Sequence, residues 1–144
     1  MAKDLYHNSV RTALEQEGWC ITDDPLTLKA GRRKVLIDLG AEQLFGAERQ
    51  GCKIAVEVKS FLNPSPIHDL EQALGQFLLY SKVLAQKEPD RSLYLALPQS
   101  VFDDLFTDEI GQILLEATDL QLIVFEPTQE IITRWLPPIA IPNS

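Results

Sequence analysis

From Cys52 to Phe61, apolar Ile54, Val56 and Val58 alternate with Lys53, Ala55, Glu57 and Lys59, the period of two that marks a β-strand. Glu57 and Lys59 therefore share a face. Upstream, Val35-Leu36-Ile37-Asp38-Leu39 is apolar and β-branched enough to predict a second strand, and Gly46 and Gly51 bracket a polar turn over 47–50, so a hairpin is the simplest link. The spacing changes after Asn63-Pro64-Ser65-Pro66. The two prolines end the strand region, Ser65 or Asn63 can cap a helix, and Leu70, Ala73, Leu74, Phe77, Leu78 and Leu84 recur at helical intervals to about Lys87.

The same reading covers the rest of the chain. Leu5, Val10, Ala13 and Leu14 form the apolar stripe of a first helix, capped by Asp4, running to about Glu17 and ended by Gly18. Two strands, near Cys20 and over Leu26 to Lys29, precede the hairpin. Ser92 to Leu97 is a continuous apolar run, as in a strand covered on both faces. Helical segments follow from Gln99 to Phe106 and Asp108 to Glu116, then strands at Leu122 to Phe125 and Ile131 to Trp135. The prediction is an α/β domain with a mixed central sheet flanked by helices, in which the long helix carries a crossover. It spans residues 1–144, with the proline-rich end at 137–144 as an extended tail.

A chain of 144 residues is of ordinary domain size, burying about two thirds of its unfolded surface, so one core suffices without staples. Cys20 and Cys52 are too few for a zinc cluster and read as reduced, buried thiols. With no signal peptide and no apolar run near a membrane span, the expectation is a cytoplasmic protein. Trp19, Trp135 and Phe125 read as core or interface groups. The 21 acidic and 13 basic residues give a net charge of −8, which argues against tight nonspecific DNA binding, since that needs clustered cations. Lys29, Arg32, Arg33 and Lys34 are the local exception. They form a basic loop just before the Asp38 strand, placed for phosphate contact at the mouth of a site or simply solvated. The acidic density from Asp103 to Glu116 points away from nucleic acid or toward a protein partner.

The hairpin carries the candidate chemistry. With a turn centred between Ala47 and Glu48, residues whose numbers sum to 95 lie opposite each other, which sets Asp38 against Glu57. Directly opposed like charges destabilise a sheet. A Mg²⁺ or Mn²⁺ ion between them would remove the conflict, because hard cations take one or two carboxylates plus water and phosphate oxygens. Lys59, on the Glu57 face, would orient a nucleophile or stabilise developing negative charge. A slip of one residue would send Asp38 to the other face. A Glu and a Lys alternating with valines also describe a solvated edge strand. On the long helix Gln72, Gln76 and Tyr80 fall at i, i+4 and i+8. They can hydrogen-bond phosphate or a metal-bound water, or form a boundary stripe between core and solvent.

This order of elements, with Asp38, then Glu57-Val58-Lys59, then Gln76-Phe77-Leu78-Leu79-Tyr80, resembles the restriction-endonuclease-like superfamily of D…(D/E)-x-K nucleases. The Q-x-x-x-Y element is similar to that of RecB-like members. The opening, Tyr6 to Arg11 with Leu14 and Glu15-Gln16-Glu17-Gly18-Trp19, resembles the first helix of archaeal Holliday-junction resolvases, whose metal-site Glu is replaced near this place by His7. Over essentially its whole length the chain resembles the cyanobacterial XisH family, the fdxN element excision controlling factors. That resemblance is carried by Ala2-Lys3-Asp4, Ile37-Asp38-Leu39, Ala55 to Phe61, Ala73 to Phe77 and Ile131 to Leu136.

The resemblance implies a restriction-endonuclease-like fold and a role in developmentally controlled DNA rearrangement, in the setting of heterocyst formation. A site-specific recombinase and a small XisI-type protein would be its partners. The superfamily's metal residues carry over to Asp38 and Glu57, with Lys59 as the basic member; the Val58 carbonyl would complete the protein's ligands, and His7 would coordinate the ion, hydrogen-bond phosphate or only cap. From the residues themselves, Lys59 and Gln76 are the catalytic candidates beside that pair, and Arg32, Arg33, Lys34, Gln72 and Tyr80 the candidates for DNA contact. Two functions are compatible with the resemblance. One is a Mg²⁺-dependent endonuclease; the other is a non-catalytic accessory module working through protein contacts. The sequence leaves homodimerisation open.

Overall fold

Leu39 and Val56 face each other in an antiparallel ladder that continues through Gly40 and Ala55 to Phe45 and Gln50, the register expected from the sequence. The computed structural model describes residues 4–45 and 50–139, so the turn assigned to 47–50 lies, apart from Gln50, outside the described residues. The hairpin strands are β4 (Leu39–Phe45) and β5 (Gln50–Val58). They are preceded by α1 (His7–Gln16), β1 (Cys20–Asp23), β2 (Leu26–Ala30) and β3 (Arg33–Ile37). After them come α2 (Pro66–Lys87), β6 (Arg91–Pro98), α3 (Gln99–Val101) continuing as a π-helical turn over Phe102–Phe106, α4 (Glu109–Ala117), β7 (Leu122–Glu126) and β8 (Ile131–Leu136).

Six strands form one mixed sheet in the order β1-β4-β5-β6-β7-β8. β5, β6 and β7 are parallel, and the outer pairings are antiparallel. The continuous apolar run predicted for β6 is buried from Leu93 to Pro98 because helices cover both faces. On one face Val10 and Leu14 of α1, with Trp19, pack on Leu39, Ile54, Val56, Tyr94 and Phe125. On the other, α2 and the α3–α4 segment cover Leu95, Leu97, Leu122 and Val124. Ser65 caps α2 by accepting the His68 amide, while Asn63 donates its amide and side chain to buried Asp69. Trp19 stacks near Trp135, and Trp135 meets Tyr94 edge-on. With Phe125 fully buried, these aromatics are core groups.

Several expectations need correcting. The stretch 35–39 is two strands, not one: β3 pairs with β2 in a separate two-stranded ribbon, and Asp38 is the bend between ribbon and main sheet. Its physical cause is that side-chain carboxylates take over the ladder's backbone hydrogen bonds at Asp38. Asp4 is not the cap of α1, whose cap position is Tyr6; instead its carboxylate accepts the Tyr6 amide and both donors of Ser60. Leu5 precedes α1 and stands 66% exposed, so it is not part of that helix's apolar stripe, and Leu78 on α2 is 61% exposed. Cys20 sits on the outward face of an edge strand and is exposed, while Cys52 is half-buried. Past β8 the chain is non-helical through Ile139, which packs against the first core. The remainder of the tail lies outside the described residues. Among the described residues no helix is long and apolar enough to cross a membrane.

Candidate functional site

One step beyond the last hairpin pair, the ladder is continued by carboxylates. The Asp38 amide donates to Glu57 Oε1 at 3.2 Å, and the Val58 amide donates to Asp38 Oδ2 at 2.7 Å. Each acid thus takes a backbone donor from the opposite strand. Because β5 is central and α2 lies over this face, Glu57 is only 8% exposed, and a buried acid without a countercharge prefers its neutral form. Burial pushes the Glu57 carboxyl up to about 8, and the neighbouring Asp38 adds to the shift, while the Lys59 ammonium opposes it. Asp38 is also raised, by burial, against the pull of the Val58 amide and the His7 imidazole. The two carboxyl groups lie near enough for the charge of Asp38 to raise Glu57. Keeping one of the pair protonated would relieve the like-charge contact that the register creates.

The other sequence-predicted residues divide in two. Half-buried Lys59 follows β5, anchored by its amide to the Ala96 carbonyl. On α2, Gln76 is half-buried with its Oε1 enclosed and without a hydrogen-bond partner among the described residues. One turn on, the Tyr80 phenol is raised, first by burial and then by the charges of Glu57 and Asp38. Lys59 and Tyr80 stand near enough to the acid pair to exchange charge effects with it, and Gln76 lies one turn before Tyr80 on α2. Gln72 is exposed one turn toward the start of α2. Arg32, Arg33 and Lys34 are exposed at the tip of the β2–β3 ribbon, where Ala30 pairs with Arg33 and Gly31 turns with φ +62°. At roughly 3.3 Å per residue the tip stands about 16 Å along β3 from Asp38. It is therefore an arm beside the site, not its rim.

His7 approaches from α1. It is 3% exposed; its Nε2 lies 2.7 Å from Asp24 Oδ1, and its Nδ1 stands 4.0 Å from Asp38 Oδ1. Because a carboxylate only accepts, Nε2–H donates to Asp24, which leaves Nδ1 as the nitrogen facing Asp38. That Nδ1 is buried with no hydrogen-bond partner among the described residues. Arg11 holds the other Asp24 oxygen at 2.6 Å. Three of the four buried polar side chains among the described residues, His7, Glu57 and Ser60, occupy this corner. Buried polar groups are the informative exceptions in a globular chain.

Sequence reasoning missed Asp4, Arg11, Asp24 and Ser60. Only Arg11 left a signal there: four residues from His7, it falls on the same face of α1. Asp4 binds the Ser60 amide at 3.0 Å and its hydroxyl at 2.7 Å, tying the start of α1 to the residue after Lys59. Its charge also contributes to raising Asp38.

The sequence matches the XisH protein family over residues 1–133. None of the curated proteins compared matches it. Two crystal structures share its architecture. An XisH family protein from Nostoc punctiforme is 37% identical with a TM-score of 0.83, covering 92% of this chain and 98% of its own. A fdxN element excision controlling factor protein from Anabaena variabilis is 41% identical with a TM-score of 0.82, at the same coverage.

Proposed function

The chain belongs to the XisH family, and on that premise we propose that it is a metal-dependent, endonuclease-type factor acting in the excision of a DNA element. The observation that carries this reading is the meeting of Asp38 and Glu57, each bound to the other strand's backbone, with Glu57 raised to about 8. Carboxyl groups raised by burial in one corner, Glu57 also by the charge of Asp38, are the pattern of a functional site, beside the backbone amides they accept. The donor set fits a hard divalent ion, Mg²⁺ or Mn²⁺. Two carboxyl groups converge, each raised by burial and so short of positive charge, and His7 Nδ1 is without a partner among the described residues. Among those residues no group of three or more His, Cys, Asp or Glu is assembled closely enough to hold an ion alone. Water and substrate oxygens would complete the shell, the usual habit of Mg²⁺.

Asp38, Glu57 and the Val58 carbonyl would hold the ion, with His7 Nδ1 on the α1 side. When bound, the ion would polarise a phosphodiester and make a coordinated water more acidic. Lys59 orients the attacking water or stabilises charge growing on the phosphorus oxygens. Gln76, whose enclosed amide oxygen has no hydrogen-bond partner among the described residues, would fix a water or, through its NH₂, a phosphate; Tyr80 can donate to phosphate at its edge. The basic arm contacts the DNA backbone away from the reacting centre, with Gln72 as a further polar contact on α2. Such a factor would work beside a site-specific recombinase and an XisI-type partner.

The test is cleavage of supercoiled and branched DNA with Mg²⁺ or Mn²⁺. Asp38→Ala and Lys59→Ala should each abolish it while circular dichroism shows the fold intact. Cleavage persisting in both would reject the reading. The alternative, a non-catalytic accessory module, draws support from the small ligand set and the acidic surface. Metal binding weaker than about millimolar, together with a stable heterocomplex, would favour it.

A further inference from the structure

We propose that the groove between α2 and the α4–β7 loop is a docking site for a basic amphipathic segment of a different protein. The first argument is where the charge lies. Between Ser92 and Thr133 there are eight acidic residues and no lysine or arginine, so this segment alone accounts for the net −8 and the rest of the chain is balanced. The segment supplies α3, the π-turn, α4 and the loop into β7. Asp103, Asp104, Asp108, Glu109, Glu116 and Asp119 are all exposed along it.

The second argument is apolar surface that the fold leaves uncovered. Two adjoining cavities, of about 280 and 430 Å³, share Thr118, Asp119 and Leu120. Leu74, Phe77 and Leu78 wall the first, and Leu115 and Leu136 the second. Leu74, Phe77, Leu115 and Leu136 pack against the second core, while Leu78 stands 61% exposed beside them. α4 adds Ile113, 55% exposed, and Ile110, 40% exposed. Its one buried residue is Gly111, where a Cβ would collide with the Leu105 carbonyl. The helix is thus seated through its glycine, and these isoleucines face solvent. Apolar patches rimmed by one sign of charge mark protein contact surfaces.

Charge selects the occupant. Nucleic acid is repelled, and a second copy presenting this face would bring two acidic surfaces together. Among the described residues Lys82 is the only cation lining the first cavity. A helix with large aliphatic side chains along one stripe and Lys or Arg beside it satisfies both the apolar and the acidic demands. This inference does not depend on the nuclease reading.

The probe is a labelled peptide of about 18 residues, five helical turns, with leucines at helical spacing and lysines elsewhere, followed by fluorescence anisotropy. We expect roughly micromolar binding, weakened about tenfold or more by scrambling the peptide, by Leu78→Ser and by Asp119→Lys. Leu78 and Asp119 are both exposed, so the variants should fold, which circular dichroism checks. Equal binding of the scrambled peptide, or full affinity in both groove variants, would overturn the proposal. So would sedimentation showing a dimer of the chain that Asp119→Lys dissociates.

Discussion

His7 turns its Nδ1 toward Asp38 Oδ1 at 4.0 Å with no hydrogen-bond partner among the described residues, while its Nε2 is fixed by Asp24 at 2.7 Å. A second carboxylate that orients an imidazole is the arrangement found behind metal-ligating histidines, where disturbing it costs about 10–100-fold in affinity. His7→Ala should therefore weaken Mn²⁺ binding by at least about tenfold in calorimetric titration. The Arg11–Asp24 ion pair remains to keep α1 in place. Unchanged Mn²⁺ affinity would make His7 a structural group only.

Stability should fall as pH rises through neutrality. A carboxyl whose pKa is raised on folding binds more protons in the folded state, so its contribution is complete below the unfolded value and is lost as pH climbs to the folded one. For Glu57 that window runs from 4.5 to about 8, and the raised Asp38 acts in the same direction at its acid side. Thermal melts from pH 5 to 9 should decline across the window, and Glu57→Gln, which cannot ionise, should flatten the decline. Added Mg²⁺ or Mn²⁺ should raise the melting temperature more at pH 8.5 than at pH 6, since the ion competes with the proton. A melting temperature independent of pH in the wild type would remove the electrostatic account of this pair.

Asp4 should matter to the position of Lys59 as well as to stability. Asp4→Ala leaves the buried Ser60 amide and hydroxyl without acceptors, at a cost of about 1–3 kcal/mol. At roughly 3–5 °C per kcal/mol for a domain of this size, calorimetry should register a drop of about 3–15 °C. Under the nuclease reading cleavage should fall further than the folded fraction does, measured well below the melting temperature. Asp4→Asn, which keeps one acceptor oxygen, should recover part of both.

The division between legible and hidden features has a physical pattern. The hairpin register was legible because alternation is strict in β5 and because a period of two makes any slip costly. The break at Asp38 was not, since Val35-Leu36-Ile37-Asp38-Leu39 looks the same whether it is one strand or two. The ladder ends there through a side-chain exchange with residues 19 and 20 positions away. Asp24 reaches His7 across 17 positions and Asp4 reaches Ser60 across 56, separations for which no local spacing rule exists. That Gln76 and Tyr80 lie one turn apart on α2 was legible because helical periodicity is local. The exposure of Leu78 and Ile113 was not legible because periodicity fixes a helix face but not the width of the surface that covers it.

The basic arm gives the last prediction. Its tip carries Arg32, Arg33 and Lys34 on a two-stranded ribbon whose inner face, Leu26, Leu28, Val35 and Ile37, packs toward α2. That packing holds the ribbon, so its tip can be altered without loosening the site. Contacts from such a tip go to phosphates and carry no sequence information. Each one releases counterions, so the slope of log affinity against log salt falls by about 0.9 for every duplex phosphate that is no longer neutralised. Arg32→Ala with Arg33→Ala should therefore weaken binding about equally for unrelated duplexes and reduce the slope by up to about 2, while Mn²⁺ affinity at Asp38 and Glu57 stays unchanged. A weakening confined to one DNA sequence would instead make these arginines base-reading groups. An unchanged salt slope would place the DNA on another face of the molecule.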